Sequence, residues 1–576
     1  MRRLPAVAWS RAIATVMLAA LTTVVPVVIA GERAEAAVAP REDNVTVDVS
    51  RIAAAAGPSS MNVTAFCQST PYPSACERAL SSPASGGSTS STRDPFAASV
   101  QFAMSRAASA RTLARNLSSS RRHRGAPPSS GMEDCAELLD ISLDQLGDVL
   151  AAATGDADGV TTWLSAALTN QGTCADSLAA ESDSAGREAV RARVSALTQF
   201  IGTALALHVN KLKSDGSGGA DSPPPSEAPT ATPPMTTFPS WVSQHDRKLL
   251  HSPADSVTTD AVVALDGSGT HRSINEAIAA VTTAAKGGRG VGGSGGRKVI
   301  HVKAGRYEES VTISSKQKNV MLMGDGKEKT IIVGHKSAAD GYTTYATATV
   351  AAMGSGFIAK GLTIVNDAGP GKGQAVALRV GGDLSVVHQC AIQAYQDTLY
   401  THSNRQFYAE DDIAGTVDFI FGDSAVVIQN CDIQARRPGP SQKDTVTAQG
   451  RTDPNQNTGI SIHKCRITGA LDLGGTPVYL GRPWQKYSRT VVMESFLDRS
   501  ISPAGWLEWS GQFALSTLYY GEYGNTGPGA GTSQRVTWAG LHTSLSRSDA
   551  MRFTVADFIM GDSWLGGTGV SYTSGL

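Results

Sequence analysis

The sequence predicts two folded parts of different class: an N-terminal helical bundle and a C-terminal all-β domain, for which a parallel β-helix is the favoured architecture. Three observations carry this. Residues 63–213 are rich in Ala and Leu, with apolar residues recurring at three and four positions. From about residue 260 onward, short β-rich runs end at Gly or Asn, with no long helices between them. Gln374, Gln396 and Asp418 recur at steps of 22 residues, a spacing that suits a chain coiling once per roughly 20–25 residues.

At the N-terminus, Arg2, Arg3 and Arg11 precede an apolar run from Ala12 to Ala30, and Ala34-Glu35-Ala36 follows. A basic region, an apolar stretch and a small-residue cleavage site predict a signal peptide over residues 1–36. The run is 19 residues long, so a signal anchor is the alternative. Pro26 and the absence of a stop-transfer flank favour cleavage, and with it no stable membrane association.

In the helical part, segments such as 135–143 and 190–207 show the helical period, and 155–159 (Gly-Asp-Ala-Asp-Gly) reads as a polar break. Three to five amphipathic helices make a bundle the economical arrangement. Residues 214–250 then turn to Gly, Ser, Thr and Pro, with Pro223-Pro224-Pro225, and no packed core can form there. This linker ends in Arg247-Lys248, a candidate processing site whose bland reading is a solvated charge pair.

The expected strands over 255–576 are brief and numerous: 298–302, 319–323, 330–333, 346–351, 357–365, 375–380, 425–428, 445–448, 460–463, 478–480 and 490–493. Their pattern excludes a doubly wound sheet and leaves sandwiches, propellers and a β-helix. A propeller blade repeats at about 40–50 residues, and no such period is present.

Charged residues make up 18% of the chain and the formal net charge is −1, which gives no argument for nucleic-acid binding. Seven cysteines (Cys67, Cys76, Cys135, Cys174, Cys390, Cys431 and Cys465) agree with an oxidising destination, and the odd count leaves one thiol over. Sequons begin at Asn44, Asn62 and Asn116.

The chemistry concentrates in the 22-residue step. Stacked on rungs about 4.8 Å apart, Gln374, Gln396 and Asp418 would line one column, with Asp397 supplying a second carboxylate beside it. Two amides and two carboxylates can attack a carbonyl, hold the oxyanion and protonate a leaving group.

Further motifs accompany these residues in a fixed order: Gly305-Arg306-Tyr307-Glu308-Glu309, Gln374-Ala375-Val376-Ala377-Leu378, Gln396-Asp397-Thr398-Leu399-Tyr400, Asp418-Phe419-Ile420-Phe421-Gly422 and Leu480-Gly481-Arg482-Pro483-Trp484. Together they resemble the plant pectin methylesterases, carbohydrate esterases on a right-handed parallel β-helix. Residues 67–76, then Cys135 and Cys174, resemble the pectin methylesterase inhibitors, four-helix bundles with a preceding helical hairpin.

The resemblance implies a secreted, cell-wall enzyme that hydrolyses the C6 methyl ester of galacturonate in pectin, with no cofactor and no metal. It implies Asp418 as nucleophile, Asp397 as general acid and then base, Arg482 as the partner of Asp418, and Gln396 and Gln374 as oxyanion donors. Trp484 and Trp506 would stack on sugar faces, with Tyr345 flanking the cleft. It further implies disulfides Cys67–Cys76 and Cys135–Cys174 and a subtilisin-like processing protease acting at Arg247-Lys248; with Asp411 in place of a cysteine, Cys431–Cys465 is the expected third bridge and Cys390 a lone buried thiol, and the linker's length with its basic pair suggests a helical domain that masks the cleft until that cut. Asp411 stands where many plant members carry a cysteine.

Taken singly, most of these residues have blander readings: Asp418 as a turn residue, Gln374 as part of an amide ladder, Arg482 as a surface ion pair, Trp484 as core. Tyr307 and Glu308 read as structural. Gly292-Gly293-Ser294-Gly295-Gly296 fits a nucleophile-elbow pattern but lacks the strand-to-helix context. His335, His388, His402 and His463 lack metal-ligand spacing. Glu410-Asp411-Asp412 suggests paired glycosidase carboxylates, although nothing else resembles a depolymerising glycosidase or lyase. A catalytically silent inhibitor is the remaining alternative, and the intact set of Gln374, Gln396, Asp397, Asp418 and Arg482 argues against it.

Overall fold

The computed structural model describes residues 62–82, 94–122, 131–152, 156–179, 184–215, 257–283 and 296–576. The expected signal segment, the linker from residue 216 with Arg247-Lys248, and Asn44 lie outside these. No described helix is long and apolar enough to cross a membrane.

A short hairpin of α1 (Val63–Cys67) and α2 (Pro73–Leu80) precedes four long helices: α3 (Pro95–Arg122), α4 (Gly131–Ala152), α5 (Ala157–Ala179) and α6 (Ser184–Ser214). On α4, Cys135, Leu138, Leu139, Leu146 and Val149 are fully buried at three- and four-residue spacing. The polar break is shorter than its composition suggests. Asp156 accepts the Gly159 N–H at 2.8 Å, so α5 starts inside the break.

Disulfides Cys67–Cys76 and Cys135–Cys174 are both present. The second joins α4 to α5 across 39 residues, and loop closure of that length is worth about 4 kcal/mol in the chain-entropy account. Replacing Cys135 and Cys174 by serine is therefore expected to lower the unfolding transition of the bundle and leave that of the β-helix in place, as read by differential scanning calorimetry.

The C-terminal part is a solenoid of three parallel sheets with eleven, seven and eight strands among the described residues. A complete coil visits all three, as in Leu378–Val380, Ser385–His388 and Ala391–Gln393. Inward side chains share one apolar core, with Ile300 and Leu322 stacked in the eleven-stranded sheet and Ile364, Ile392, Ile413 and Ile433 stacked in the eight-stranded sheet.

The chain turns a corner at one left-handed residue per coil. Gly361, Gln389, Glu410, Asn430, Lys464, Glu494 and Gly524 all have φ between 48° and 63°. The expected run 357–365 is consequently two strands, Ile358–Lys360 and Thr363–Asn366, in different sheets with Gly361 between them. An apolar run does not reveal such a corner, because residues on both sides of it point inward. The expected run 346–351 likewise begins with a 3₁₀ turn, Thr344–Thr347, before the strand Val350–Ala352.

The expected Cys431–Cys465 bridge does not form; both are buried thiols, as is Cys390. The register explains their state. Asp411, Cys431 and Cys465 occupy equivalent places on successive coils, each one residue before a paired strand position. The Cys390 N–H donates to Asp411 Oδ1 at 2.7 Å, the Asp411 N–H to Cys431 Sγ at 3.4 Å, the Cys431 N–H to Cys465 Sγ at 3.4 Å and the Cys465 N–H to Ser495 Oγ at 3.0 Å. Each side chain accepts from the rung above, so the sulfurs stack along the axis without joining. Asp411 is fully buried in this ladder, and burial raises its carboxyl well above the ordinary range. It faces no cleft, so Glu410-Asp411-Asp412 forms no pair of glycosidase acids.

Candidate active site

The seven-stranded sheet carries the site. Leu399 pairs with Ile420, and the Asp397 N–H reaches Val417 O at 3.0 Å, which places Asp397 level with Asp418, 21 residues on. Ala377 and Leu378 both donate to Thr398 O, at 2.9 and 3.3 Å, which makes a bulge. Ala375 N–H bonds Gln396 O at 3.2 Å, so the 22-residue step holds between Gln374 and Gln396. The single expected column is thus two adjacent rows, one of amides and one of carboxylates.

Both aspartates sit just before their strands in the left-handed region, at φ 62° for Asp397 and 51° for Asp418. For a residue with a Cβ this costs about 1–2 kcal/mol, and Asp tolerates it better than most. The turn lifts each carboxylate from the sheet into a cavity of about 550 Å³. Tyr345, Gln374, Gln396, Asp397, Asp418, Arg482 and Trp484 all line it.

Asp418 is gripped on both oxygens. Arg482 Nε donates to Oδ1 at 2.7 Å and a terminal nitrogen donates to Oδ2 at 2.6 Å. Thr445 Oγ1 accepts the Asp418 N–H at 2.8 Å and donates to Oδ1 at 2.7 Å. Among the described residues, the Asp397 carboxyl has no such partners. Burial, then the Asp418 charge, push its carboxyl well above the ordinary range, with Arg482 opposing. Burial thus favours the neutral form of Asp397 beside an ion-paired carboxylate. Among the described residues, the side-chain amides of Gln374 and Gln396 make no intramolecular hydrogen bond, and both are only half-buried.

The expected role of Trp506 is not available to it. Trp506 is buried in the core, stacked on Tyr520 at 4.2 Å, and donates from Nε1 to Glu522 at 3.1 Å. Trp509, three residues on, is 37% exposed in the cavity wall beneath the Arg482 guanidinium, 4.4 Å from its ring. Sequence reasoning missed Trp509 and Thr445. The pairing of Thr445 with the carboxylate row was readable only from the register.

The bundle lies on this sheet. Thr169 donates to Asp423 at 2.7 Å, Thr173 bonds His402 at 3.0 Å, Trp163 donates to Asp383 at 3.2 Å, and Asp134 accepts from Thr343 at 2.5 Å. Met132, Cys135, Leu138 and Val194 share an apolar cluster with Tyr400, Phe421 and Ala448. Thr173, Asp176, Ser177 and Ala179 of α5 complete the cavity wall.

Comparison with known proteins gives two family matches: Pectinesterase over residues 260–562, and Plant invertase/pectin methylesterase inhibitor over 61–207. A probable pectinesterase/pectinesterase inhibitor of Arabidopsis thaliana is 52% identical over 85% of this chain and 89% of its own length. Pectinesterase 2 of Citrus sinensis is 46% identical over 90% of this chain and 96% of its own. Among solved structures, pectin methylesterase from carrot is 54% identical with a TM-score of 0.53, covering 56% of this chain and 99% of that one. That share exceeds the length of the bundle and is about that of residues 257–576.

Proposed function

This chain belongs to the pectinesterase family, and from that premise we propose how its cleft works. The protein hydrolyses methyl esters of pectin to carboxylates and methanol. Asp418 attacks the ester carbonyl and forms an acyl-enzyme anhydride. The amide N–H groups of Gln374 and Gln396 hold the oxyanion, and Asp397 gives its proton to the departing methoxide. Asp397, now ionised, takes a proton from water; the hydroxide attacks the galacturonate carbonyl of the anhydride and frees Asp418.

The observation that carries this reading is the divergence of the two stacked carboxyls. One is held as an ion by Arg482 and Thr445, and the other is kept neutral by burial. Trp484 and Trp509 offer ring faces to the sugars. The test is methanol release from methylated pectin by the 251–576 portion. Gln396→Leu is expected to lower kcat about 10²–10³-fold with little change in KM. An equal rate in that variant would remove the amide row from the mechanism.

The helical domain is inhibitor-like, and it inhibits the cleft it covers. The signal segment directs the chain to the cell wall. A protease acting at Arg247-Lys248 releases the bundle. Asn62 and Asn116, both exposed, are open to glycosylation.

A further inference from the structure

We propose that Thr445 is a positioning residue that reserves Oδ2 of Asp418 for attack on the ester and steadies the same carboxylate as a leaving group when the acyl-enzyme is hydrolysed. The inference deepens the pectinesterase reading of the cleft and rests on it.

Register puts the hydroxyl in place. Ile420 pairs with Thr447, which sets Asp418 level with Thr445, just as the Leu399–Ile420 pair sets Asp397 level with Asp418. Asp397, Asp418 and Thr445 thus form one row on successive rungs, about 4.8 Å apart. Thr445 is fully buried. Its N–H donates to Thr416 O at 3.2 Å, and its own carbonyl accepts the Phe419 N–H at 3.2 Å, so the backbone is held on both sides of the nucleophile's turn. Its Oγ1 accepts the Asp418 N–H at 2.8 Å and gives its single proton to Oδ1 at 2.7 Å. One hydroxyl therefore ties the backbone and the carboxylate of a left-handed residue together, and fixes which way the carboxylate faces.

A carboxylate offers about four lone-pair sites, two on each oxygen. Among the described residues, Thr445 Oγ1 and Arg482 Nε both donate to Oδ1, and a terminal nitrogen of Arg482 donates to Oδ2. The site left open is on Oδ2. Attack on the ester carbonyl needs an unengaged lone pair, so the new bond forms from Oδ2. Without the hydroxyl, each oxygen carries one arginine donor and nothing in the grip tells them apart.

The same donor acts in opposite senses in the two half-reactions. In acylation Oδ2 bonds to the ester carbonyl carbon, the bond from that carbon to methoxide breaks, and methoxide takes the Asp397 proton. Negative charge leaves Asp418, so a donor on Oδ1 favours the starting state over the transition state. In deacylation water gives a proton to Asp397, its oxygen bonds to the galacturonate carbonyl carbon, and the bond from that carbon to Oδ2 breaks. The electron pair returns to Asp418 and spreads over both oxygens, so the donor on Oδ1 now favours the transition state.

Thr445→Val removes the donor and keeps the size and branching of the side chain. On methylated pectin, with the full chain and with the 251–576 portion, kcat is expected to fall about ten- to a hundredfold. KM should fall with it, so that kcat/KM stays level or rises. Rapid-quench methanol should then show a burst of about one equivalent per active site, because the acyl-enzyme accumulates. Thr445→Ser keeps the hydroxyl and should restore the native kcat and KM. Thr445→Cys, a weaker donor, should give a smaller fall of the same kind, and it serves where the valine variant does not fold. A nucleophile that is merely misplaced would instead lose kcat/KM along with kcat and show no burst. That outcome, a valine or cysteine variant with native kinetics, or a serine variant without recovery would overturn the proposal. A native protein that releases no methanol would overturn the pectinesterase reading itself.

Discussion

Asp418→Asn abolishes methanol release from methylated pectin, lowering the rate of the 251–576 portion by about 10⁴-fold or more. Knockouts of attacking groups in other acyl-transfer enzymes lose that much. Asparagine keeps the size of the side chain and an oxygen for Thr445, so the local fold has little reason to change. What it lacks is the anionic oxygen that attacks the ester. Arg482 then loses its carboxylate partner. Its side chain is 24% exposed, so water takes over part of the lost interaction and any fall in thermal midpoint is small beside the kinetic loss. Release at the native rate by a folded variant would end the assignment of the nucleophile. Asp397→Asn keeps the nucleophile and loses the proton, so the loss should be about 10²–10⁴-fold. Because Asp397 is held above the ordinary carboxylate range, the native enzyme should keep its acid step at pH values where a free carboxyl would be ionised.

The uncut chain is expected to demethylate pectin at least about a hundredfold more slowly than the released β-helix at pH 5, and to recover as pH rises. The contact face holds carboxyls raised to about 6 by burial, among them Asp134, against Thr343, and Asp423, against Thr169. Release exposes Asp134 to water, where its ordinary value is near 3.8, whereas Asp423 keeps Gln449, Gln456 and Thr458 of the β-helix. A carboxyl whose pKa is higher in the docked state binds its proton more tightly there, so docking is favoured in full below about 3.8 and weakened as pH climbs through about 6. On the order of a hundredfold in the docking equilibrium is at stake for Asp134 between those limits. Methanol release by the uncut chain, measured from pH 4 to 8 against the 251–576 portion, gives the ratio. A ratio near one at pH 5, or one that moves further from unity as pH rises, would refute cis inhibition through this face.

Much of the site could be read before any coordinates. Gln374, Gln396, Asp397, Asp418, Arg482 and Trp484 all meet in one cavity, because short motifs in a solenoid are brought together by a near-constant period rather than by distant folding. The failures follow the same logic. Trp506 and Trp509 are three residues apart, and composition cannot say which turns inward to Glu522 and which stays under Arg482. Cys431 and Cys465 lie one rung apart, close enough for a bridge by position, yet backbone donors engage both sulfurs. A spacing of 22 residues predicts a stack, but only the bulged coil from Gln374 to Gln396 keeps that step; the next coil is 21 residues, which sets Asp397 and Asp418 in a row of their own.

By itself the sequence determined the two fold classes, the coil period and the chemical set, since these depend on local periodicity and on residues brought near by it. Only the tertiary structure decided what the bundle does to the cleft. The Thr162, Ser165, Thr169 and Thr173 stripe of α5 has the composition of a solvated face, yet all four residues are buried, against Asn457, Gln456, Asp423 and His402. A hydroxyl is equally content with water or with a buried polar partner. Which of the two it meets is set by the surface packed against it, and that surface lies more than two hundred residues away in the chain.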